Sequence, residues 1–250
     1  MTAVPGEPDE LTVATPTGPA RVVVREPVLG GGAQVAGTLV LGHGAGAGCE
    51  TVDLLAVAGA AVAAGWRVLL VDQPWRVAGR RVAAPPPRLD EAWTAVLADP
   101  QVRQRIEAHP AVAARDGARS AGPLVVGGRS AGARVACRTA TAVAADAVLC
   151  LAFPLHPPGR PETSRAGELL AAAATHPVLV VQGMRDAFGS AEQVADRLAA
   201  GGCGEVVAVP GDHGLKADPA AVAAAVTAWL AGVAATPVAG VRNEAPPAGR

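Results

Sequence analysis

Short runs rich in valine and leucine alternate with alanine-rich stretches along most of this chain. The apolar runs span 38–42, 67–72, 123–127, 147–151, 177–182 and 205–210. Continuous apolar runs of this length are typical of parallel strands that helices cover on both faces. The alanine-rich stretches are 52–64, 131–145, 167–175, 191–200 and 218–231. They favour helices because alanine has the highest helix propensity, so the alternation predicts an α/β domain with a mainly parallel sheet.

Two further β-rich runs, LTVAT and ARVVV, come before this alternation. The turn residues PTGP separate them, so we expect an antiparallel pair at one edge of the sheet. Asp90 and Glu91 favour the N-terminus of an additional helix through 94–98, because acidic side chains stabilise helix N-termini. The proline-rich run at 153–167 predicts a loop between strand and helix, and therefore a minimal cap over any site at that edge.

The length and composition of the chain predict one domain. A chain of 250 residues, of which 50% are hydrophobic and 17% charged, can bury a substantial core. The ends are different in composition, since residues 1–10 and 235–250 are rich in proline, glycine and polar residues. We therefore expect flexible tails at 1–10 and 235–250, and a single folded domain over 11–234.

Charge and cysteine patterns argue against several classes of partner. The formal net charge is -1 and the basic residues are scattered, which gives no electrostatic footprint for nucleic acid or for an anionic membrane. No leader and no run of about 18 apolar residues is present, so a cytoplasmic protein without a membrane partner is expected. The cysteines lack metal-ligand spacing, and we expect neither a metal nor another cofactor. The oligomeric state cannot be deduced from these patterns.

The segment GGRSAG at 127–132 carries the strongest functional signal. It lies between a predicted strand and a predicted helix, and Gly128, Ser130 and Gly132 satisfy the nucleophile-elbow pattern small-x-Ser-x-small. The serine of such an elbow is strained on a sharp turn, and glycine two residues to either side removes steric collisions. The five residues alone would also fit a small-residue turn with an N-capping serine. Their placement between strand and helix favours Ser130 as a nucleophile.

A serine nucleophile needs a base, and the base needs an acid that orients it. His213 is the predicted base, because it lies in a loop between the last predicted strand and the last predicted helix. Asp186, just after the run at 177–182, is the predicted acid, and the chain order is then Ser, Asp, His. Asp212 is adjacent to His213, but the side chains of sequence neighbours point apart.

Acyl transfer also needs hydrogen-bond donors for the developing oxyanion. The backbone N–H of Ala131, directly after the nucleophile, is one predicted donor. The loop HGAGAG supplies the other, and within it Ala45, which follows Gly44, is the expected donor. His43 is expected to brace this loop through hydrogen bonds and not to act as a base. Taken alone, the loop would fit an ordinary flexible glycine-rich segment.

Four segments together resemble the α/β-hydrolase superfamily: HGAGAG, GGRSAG, QGMRDAFG and GDHGL. The resemblance covers about residues 20–232 and is greatest to the small dienelactone-hydrolase-like branch. Within that branch the chain is most similar to the testis-expressed, NSL-complex-related group of hydrolases, which carries an LHPPG-type run like FPLHPPGRPE here. The resemblance implies an α/β-hydrolase fold, with an eight-stranded, mostly parallel sheet and a triad at positions 130, 186 and 213. Dienelactone hydrolases have a cysteine nucleophile where this chain has Ser130, so their substrate is not implied.

These features predict a serine hydrolase that cleaves an ester, thioester or amide of a small-molecule acyl substrate through an acyl-enzyme. Esters are favoured because they need less leaving-group assistance than amides. Arg129 and Trp75 are candidates to border the pocket, or else packing or surface residues. The first alternative is a non-catalytic scaffold that keeps the fold, since the related group includes subunits of chromatin complexes. Such a scaffold would have no physical need for Ser130, Asp186 and His213 together.

The second alternative is an NAD(P)-binding oxidoreductase. Gly42, Gly44 and Ala47 fit G-x-G-x-x-A after a strand, and Asp72 ends the next strand where a ribose-binding acid would lie. Two β-rich runs precede this pattern, however, whereas dinucleotide-binding domains usually begin with it. The hypothesis also leaves the GGRSAG and GDHGL segments unexplained.

Overall fold

The computed structural model describes residues 9–30, 34–107, 122–201 and 204–235. The strands within these ranges are Asp9–Thr15 (β1), Gly18–Arg25 (β2), Thr38–Gly42 (β3), Arg67–Asp72 (β4), Leu124–Arg129 (β5), Ala147–Leu151 (β6), Val178–Gly183 (β7) and Glu205–Val209 (β8). The helices are Val52–Ala63 (α1), Pro74–Val77 (α2), Pro86–Ala98 (α3), Pro100–Glu107 (α4), Ala131–Thr139 (α5), Ala166–Ala173 (α6), Ala191–Gly201 (α7) and Pro219–Ala235 (α8). None of the described helices is long and apolar enough to cross a membrane.

The strands form one eight-stranded sheet in the order β1-β2-β4-β3-β5-β6-β7-β8. Strand β2 is antiparallel to both β1 and β4, and the other neighbouring strands are parallel. The prediction of a mostly parallel sheet with an antiparallel pair at one edge is therefore confirmed. Between β6 and α6 the described chain contains no helix, so the cap at this edge is minimal, as predicted.

Each face of the sheet has its own apolar core, which explains why the strands read as continuous apolar runs. Leu39 and Leu41 of β3 pack on the face covered by α1 and α8. Val40, between them, packs on the opposite face, with side chains of α3, α5, α6 and α7. Successive residues of a strand point to opposite faces, so a strand buried on both sides needs an apolar residue at every position.

The sheet begins two residues before the predicted domain boundary. Asp9 and Glu10, which were assigned to the N-terminal tail, belong to β1 and pair with Val24 and Val23 of β2. Glu10 also forms an ion pair with Arg21, so strand pairing and charge pairing together hold an acidic segment in the sheet. Ala235, the first residue of the predicted C-terminal tail, is the last residue of α8. The remaining tail residues, 1–8 and 236–250, lie outside the described residues, and their flexibility stays a prediction.

Helix α3 begins earlier in the sequence than predicted. Asp90 and Glu91 were expected at a helix N-terminus, but α3 begins at Pro86 and both acidic residues lie farther along it. Proline is tolerated in the first turn of a helix because the N–H that it lacks would have no intrahelical acceptor there. The three prolines at 85–87 therefore start this helix.

Candidate active site

Ser130 occupies a sharp turn between the end of β5 and the start of α5. Its backbone has φ 54° and ψ -105°, a conformation that residues with a side chain rarely adopt. The Ser130 N–H donates to the carbonyl oxygen of Leu151 at the end of β6 (2.9 Å), and its carbonyl oxygen accepts from Arg134 N–H in α5 (3.2 Å). These bonds anchor the strained residue on both sides and hold it at the carboxyl edge of the sheet.

Two glycines let the elbow lie directly against β3. A Cβ atom on Gly128 would be 2.3 Å from the carbonyl oxygen of Gly42, and one on Gly132 would be 2.5 Å from the same atom. Both separations are far below van der Waals contact, so neither position can carry a side chain without displacing β3. The steric collisions predicted for side chains at positions 128 and 132 would therefore be with strand β3.

His213 lies within hydrogen-bond distance of both Ser130 and Asp186. Its Nε2 is 2.9 Å from Ser130 Oγ, and its Nδ1 is 2.8 Å from Asp186 Oδ2. Asp186 follows β7 and His213 follows β8, so three separate strand ends bring these side chains together. The Asp186 carboxylate can only accept a hydrogen bond. Nδ1–H therefore donates to it, and the Nε2 lone pair faces the Ser130 hydroxyl.

Asp186 and the imidazole of His213 are held by two residues that the sequence analysis did not identify. Gln182 is fully buried and donates through Nε2 to Asp186 Oδ2 (2.9 Å). The Phe188 N–H donates to Asp186 Oδ1 (2.8 Å). The Phe188 ring also stacks on the imidazole of His213, with 4.1 Å between ring centroids. Both residues lie in the QGMRDAFG segment. The sequence signal that could have identified Gln182 is a polar side chain at the end of a buried strand.

Arg129, the residue before Ser130, links the elbow to two distant parts of the chain. Its Nη2 donates to the carbonyl oxygen of His213 (3.2 Å). Its Nε lies 3.3 Å from Oδ2 of Asp53, a fully buried carboxylate in α1. These two atoms are at ion-pairing distance but are not aligned for a hydrogen bond. Arg129 thus connects the turn at Ser130 to the His213 loop and to α1.

The glycine-rich loop after β3 is held by His43, which is buried. His43 Nε2 accepts from the Gln73 N–H (3.0 Å), which leaves Nδ1–H to donate to the carbonyl oxygen of Gly44 (2.8 Å). Burial lowers the pKa of His43, so the ring is neutral near pH 7 and both nitrogens are occupied. A Cβ on Gly44 would lie 3.5 Å from the Cβ of Ser130, and the loop therefore passes directly beside Ser130.

The backbone N–H groups of Ala45 and Ala131 are both available to a ligand. Ala131 is the first residue of α5, and the first N–H groups of a helix have no intrahelical acceptor. Ala45 is exposed, and within the described chain its N–H has no hydrogen-bond acceptor. The loop after β3 and the start of α5 thus each include a free donor.

Asp72, the acid of the dinucleotide hypothesis, is already engaged by the protein. Its Oδ1 accepts from the Cys49 N–H (2.8 Å), and its Oδ2 accepts from Arg21 Nη1 (3.1 Å). The residue therefore ties the glycine-rich loop to β2, and both of its carboxylate oxygens already accept a hydrogen bond from the protein. In the described ranges, no group of three or more His, Cys, Asp or Glu side chains that could hold a metal ion comes together.

Comparison with known families and structures agrees with the fold described above. The sequence profile of the family described as "Alpha/beta hydrolase domain" matches residues 35–228. No curated protein sequence matches the chain at a significant level.

Several solved structures share the fold over nearly their whole length. An α/β serine hydrolase without a lid from Xanthomonas campestris is 21% identical, with a TM-score of 0.63, and the match covers 93% of this chain and 96% of that one. Est1E from Butyrivibrio proteoclasticus is 14% identical, with a TM-score of 0.67 and coverages of 91% and 99%. A cold-adapted esterase from an Arctic intertidal metagenomic library is 16% identical, with a TM-score of 0.60 and coverages of 92% and 95%. At these identities the likeness establishes the fold alone.

Proposed function

We propose that this chain, which belongs to the alpha/beta hydrolase domain family, is a serine hydrolase that cleaves an ester of a small acyl substrate. One observation carries the proposal: Ser130 Oγ, the His213 ring and Asp186 Oδ2 form a continuous hydrogen-bonded series, with separations of 2.9 and 2.8 Å. A serine hydroxyl becomes a nucleophile when a neighbouring base takes its proton and an acid stabilises the protonated base.

In the proposed reaction, Ser130 Oγ attacks the carbonyl carbon of the ester while its proton passes to His213 Nε2. Asp186 stabilises the imidazolium that forms. Collapse of the tetrahedral intermediate breaks the bond to the alcohol, which leaves with the proton from His213, and the acyl group stays on Ser130. Water then attacks the acyl-enzyme as His213 takes its proton, and the acid is released with Ser130 regenerated.

We assign the oxyanion hole to the backbone N–H groups of Ala45 and Ala131. The position of Ala131 at the start of α5 supports this assignment, because the N-terminal end of a helix carries partial positive charge. His43 and Gly44 support it as well, since their hydrogen bond shapes the loop that presents Ala45. Removing one oxyanion donor costs about 3–4 kcal/mol in transition-state stabilisation, so both donors matter for the rate.

Within the family we place the chain in the small dienelactone-hydrolase-like branch, closest to the testis-expressed, NSL-complex-related group. The run FPLHPPGRPE supports this placement, because it lies between β6 and α6 and reaches the site. The His156 N–H donates to the carbonyl oxygen of Phe188 (3.0 Å), and the Phe188 ring stacks on His213. Because Ser130 stands where the dienelactone hydrolases have a cysteine, this placement does not carry their substrate over to this chain.

Hydrolysis of 4-nitrophenyl acetate and butyrate by four variants tests the proposed function. We expect Ser130→Ala, His213→Gln and Asp186→Asn to lower kcat by about a thousandfold or more, because the three residues act as a unit. The control is Ser164→Ala, which removes a hydroxyl that accepts from the Ala166 N–H at the start of α6 and should leave kcat unchanged. Wild-type activity in a folded Ser130→Ala protein would contradict the proposal.

A further inference from the structure

A groove of about 860 Å³ lies between the β1–β2 turn, α2 and the segment 78–85. This volume is within the range of sites that bind small molecules. Arg80, Arg81 and Arg88 line it together with Trp75 and Gln73, and none of the described residues that line it is acidic. The formal net charge of the chain is -1, so this groove concentrates positive charge that the chain as a whole lacks.

Much of this positive charge is not neutralised by the protein. Arg80 and Arg81 are exposed, and in the described part of the chain neither guanidinium is paired with a carboxylate. Arg88 has one exposed partner, Glu91 (3.1 Å). Arg134, by contrast, is bound by Glu168 on a neighbouring helix. The guanidinium groups of Arg80 and Arg81 are therefore free to bind a ligand.

The groove adjoins the candidate active site. Gln73, Trp75 and Ala83 line both the groove and a small cavity that reaches Gly132 and Ala131 at the elbow. Gln73 and Trp75 follow β4, which is parallel to β3 and β5, so the groove and Ser130 lie at the same edge of the sheet.

Gln73 adds a buried polar group at this junction. The residue is 6% exposed, and its Nε2 donates to the carbonyl oxygen of Leu89 (3.2 Å). Its Oε1 is buried without a hydrogen-bond partner among the described residues. Buried polar atoms are nearly always hydrogen-bonded, so this oxygen is an acceptor that a bound water can satisfy.

We propose that the groove binds an anionic end of the substrate, so that the enzyme prefers esters carrying a carboxylate or phosphate group remote from the scissile bond. This inference rests on the proposed function of Ser130. Guanidinium groups bind both anions through paired, charge-assisted hydrogen bonds. Trp75 would contact the apolar chain between the ester and the anion.

The test compares 4-nitrophenyl hexanoate with 4-nitrophenyl hydrogen adipate, two esters of equal chain length that differ in a terminal carboxylate. We expect wild type to have a kcat/KM for the adipate ester about tenfold higher, as one charge-assisted contact would give. Arg80→Ala/Arg81→Ala should abolish this preference and leave kcat/KM for the hexanoate ester within about twofold. Inhibition of hexanoate hydrolysis by adipate and by inorganic phosphate then distinguishes a carboxylate-selective groove from a phosphate-selective one.

The control variant is Arg103→Ala, which removes an exposed arginine of α4 outside the groove and should keep the preference. Equal kcat/KM values for the two esters in wild type, or a preference that survives in the double variant, would overturn the inference and leave the proposed function intact. Calorimetric titration of Ser130→Ala with the adipate ester separates the two claims if neither ester is hydrolysed. Binding that requires Arg80 and Arg81 would then support the groove, and no binding would overturn it.

Discussion

At Ser130, bonds to β6 and α5 and two flanking glycines make a strained backbone possible. The small residues at 128 and 132 could be predicted from the sequence, because an elbow of this type excludes side chains at those positions. The neighbour that requires them, the Gly42 carbonyl oxygen of β3, could not, since sequence does not tell which strand lies beside β5. Gln182 and Phe188 were missed for the same reason, as their contacts with Asp186 and His213 form only in the folded chain.

The buried ion pair of Arg129 and Asp53 gives a prediction at this scale. Arg129→Met should lower the free energy of unfolding by about 3 kcal/mol, because it leaves the fully buried Asp53 carboxylate without its cation. The double variant Asp53→Leu/Arg129→Met should regain most of that stability, since no buried charge is left. Both variants should have a lower kcat than wild type, because the His213 carbonyl has lost its Arg129 donor. Recovery of stability in the double variant should therefore not restore kcat.

Urea denaturation and ester hydrolysis on the same samples measure these two effects. The exposed Arg103→Met serves as the control and should change neither. The account of Arg129 fails if the single variant is as stable as wild type, or if the double variant recovers full activity together with stability.

Among the elements, strands were predicted closely and short helices were not. The strands are continuous apolar runs because both faces of the sheet are buried. The local amino-acid composition therefore indicates where they lie. Helices α2 and α4 were not predicted, since PWRV and PQVRQRIE combine proline, polar and apolar residues without a long repeat. Their place is set by packing against the rest of the chain, which local composition does not encode.

Helix α5, which follows Ser130, is joined to its neighbours by partly buried charge pairs. Arg134 and Arg138 of α5 both bond to Glu168 of α6, and Arg138 also bonds to Asp90 of α3. Burial by itself would raise the pKa of Glu168, but the hydrogen bonds and charges of Arg134 and Arg138 outweigh it and lower that pKa. The carboxylate is therefore stabilised in its charged form.

Glu168→Gln should lower the free energy of unfolding by about 2 kcal/mol at pH 7, because hydrogen bonds between charged groups are lost. A lowered pKa in the folded state means that this contribution is present above the unfolded pKa of about 4.3 and disappears as pH falls below it. The difference between variant and wild type should thus shrink in acid. Urea denaturation from pH 7 to pH 3.5 measures it.

The matched control is Glu107→Gln, which breaks the exposed pair of Arg103 and Glu107 within α4. Exposed pairs of this kind contribute about 0.5 kcal/mol or less, so this variant should be near wild type at every pH. Equal stabilities of Glu168→Gln and wild type at pH 7 would show that the network does not hold α5 in place.

On the scale of the whole molecule, the order of strands in the sheet brings the residues of the candidate site together. Ser130, Asp186 and His213 are separated by 56 and 27 positions in the sequence, and they meet because β5, β7 and β8 end at the same edge. The alternation of strands and helices made this meeting predictable. The arginine-lined groove was not predictable, because Arg80 and Arg81 lie in an irregular segment whose path depends on the β1–β2 turn beside it.

Labelling with a fluorophosphonate probe tests the central claim, an activated serine at position 130, most directly. Wild type should form one covalent adduct, which peptide mass mapping places on Ser130, whereas folded Ser130→Ala and His213→Ala proteins should form none. Failure of a folded wild-type protein to react, or reaction at another serine, would contradict the account and favour a non-catalytic scaffold with the same fold.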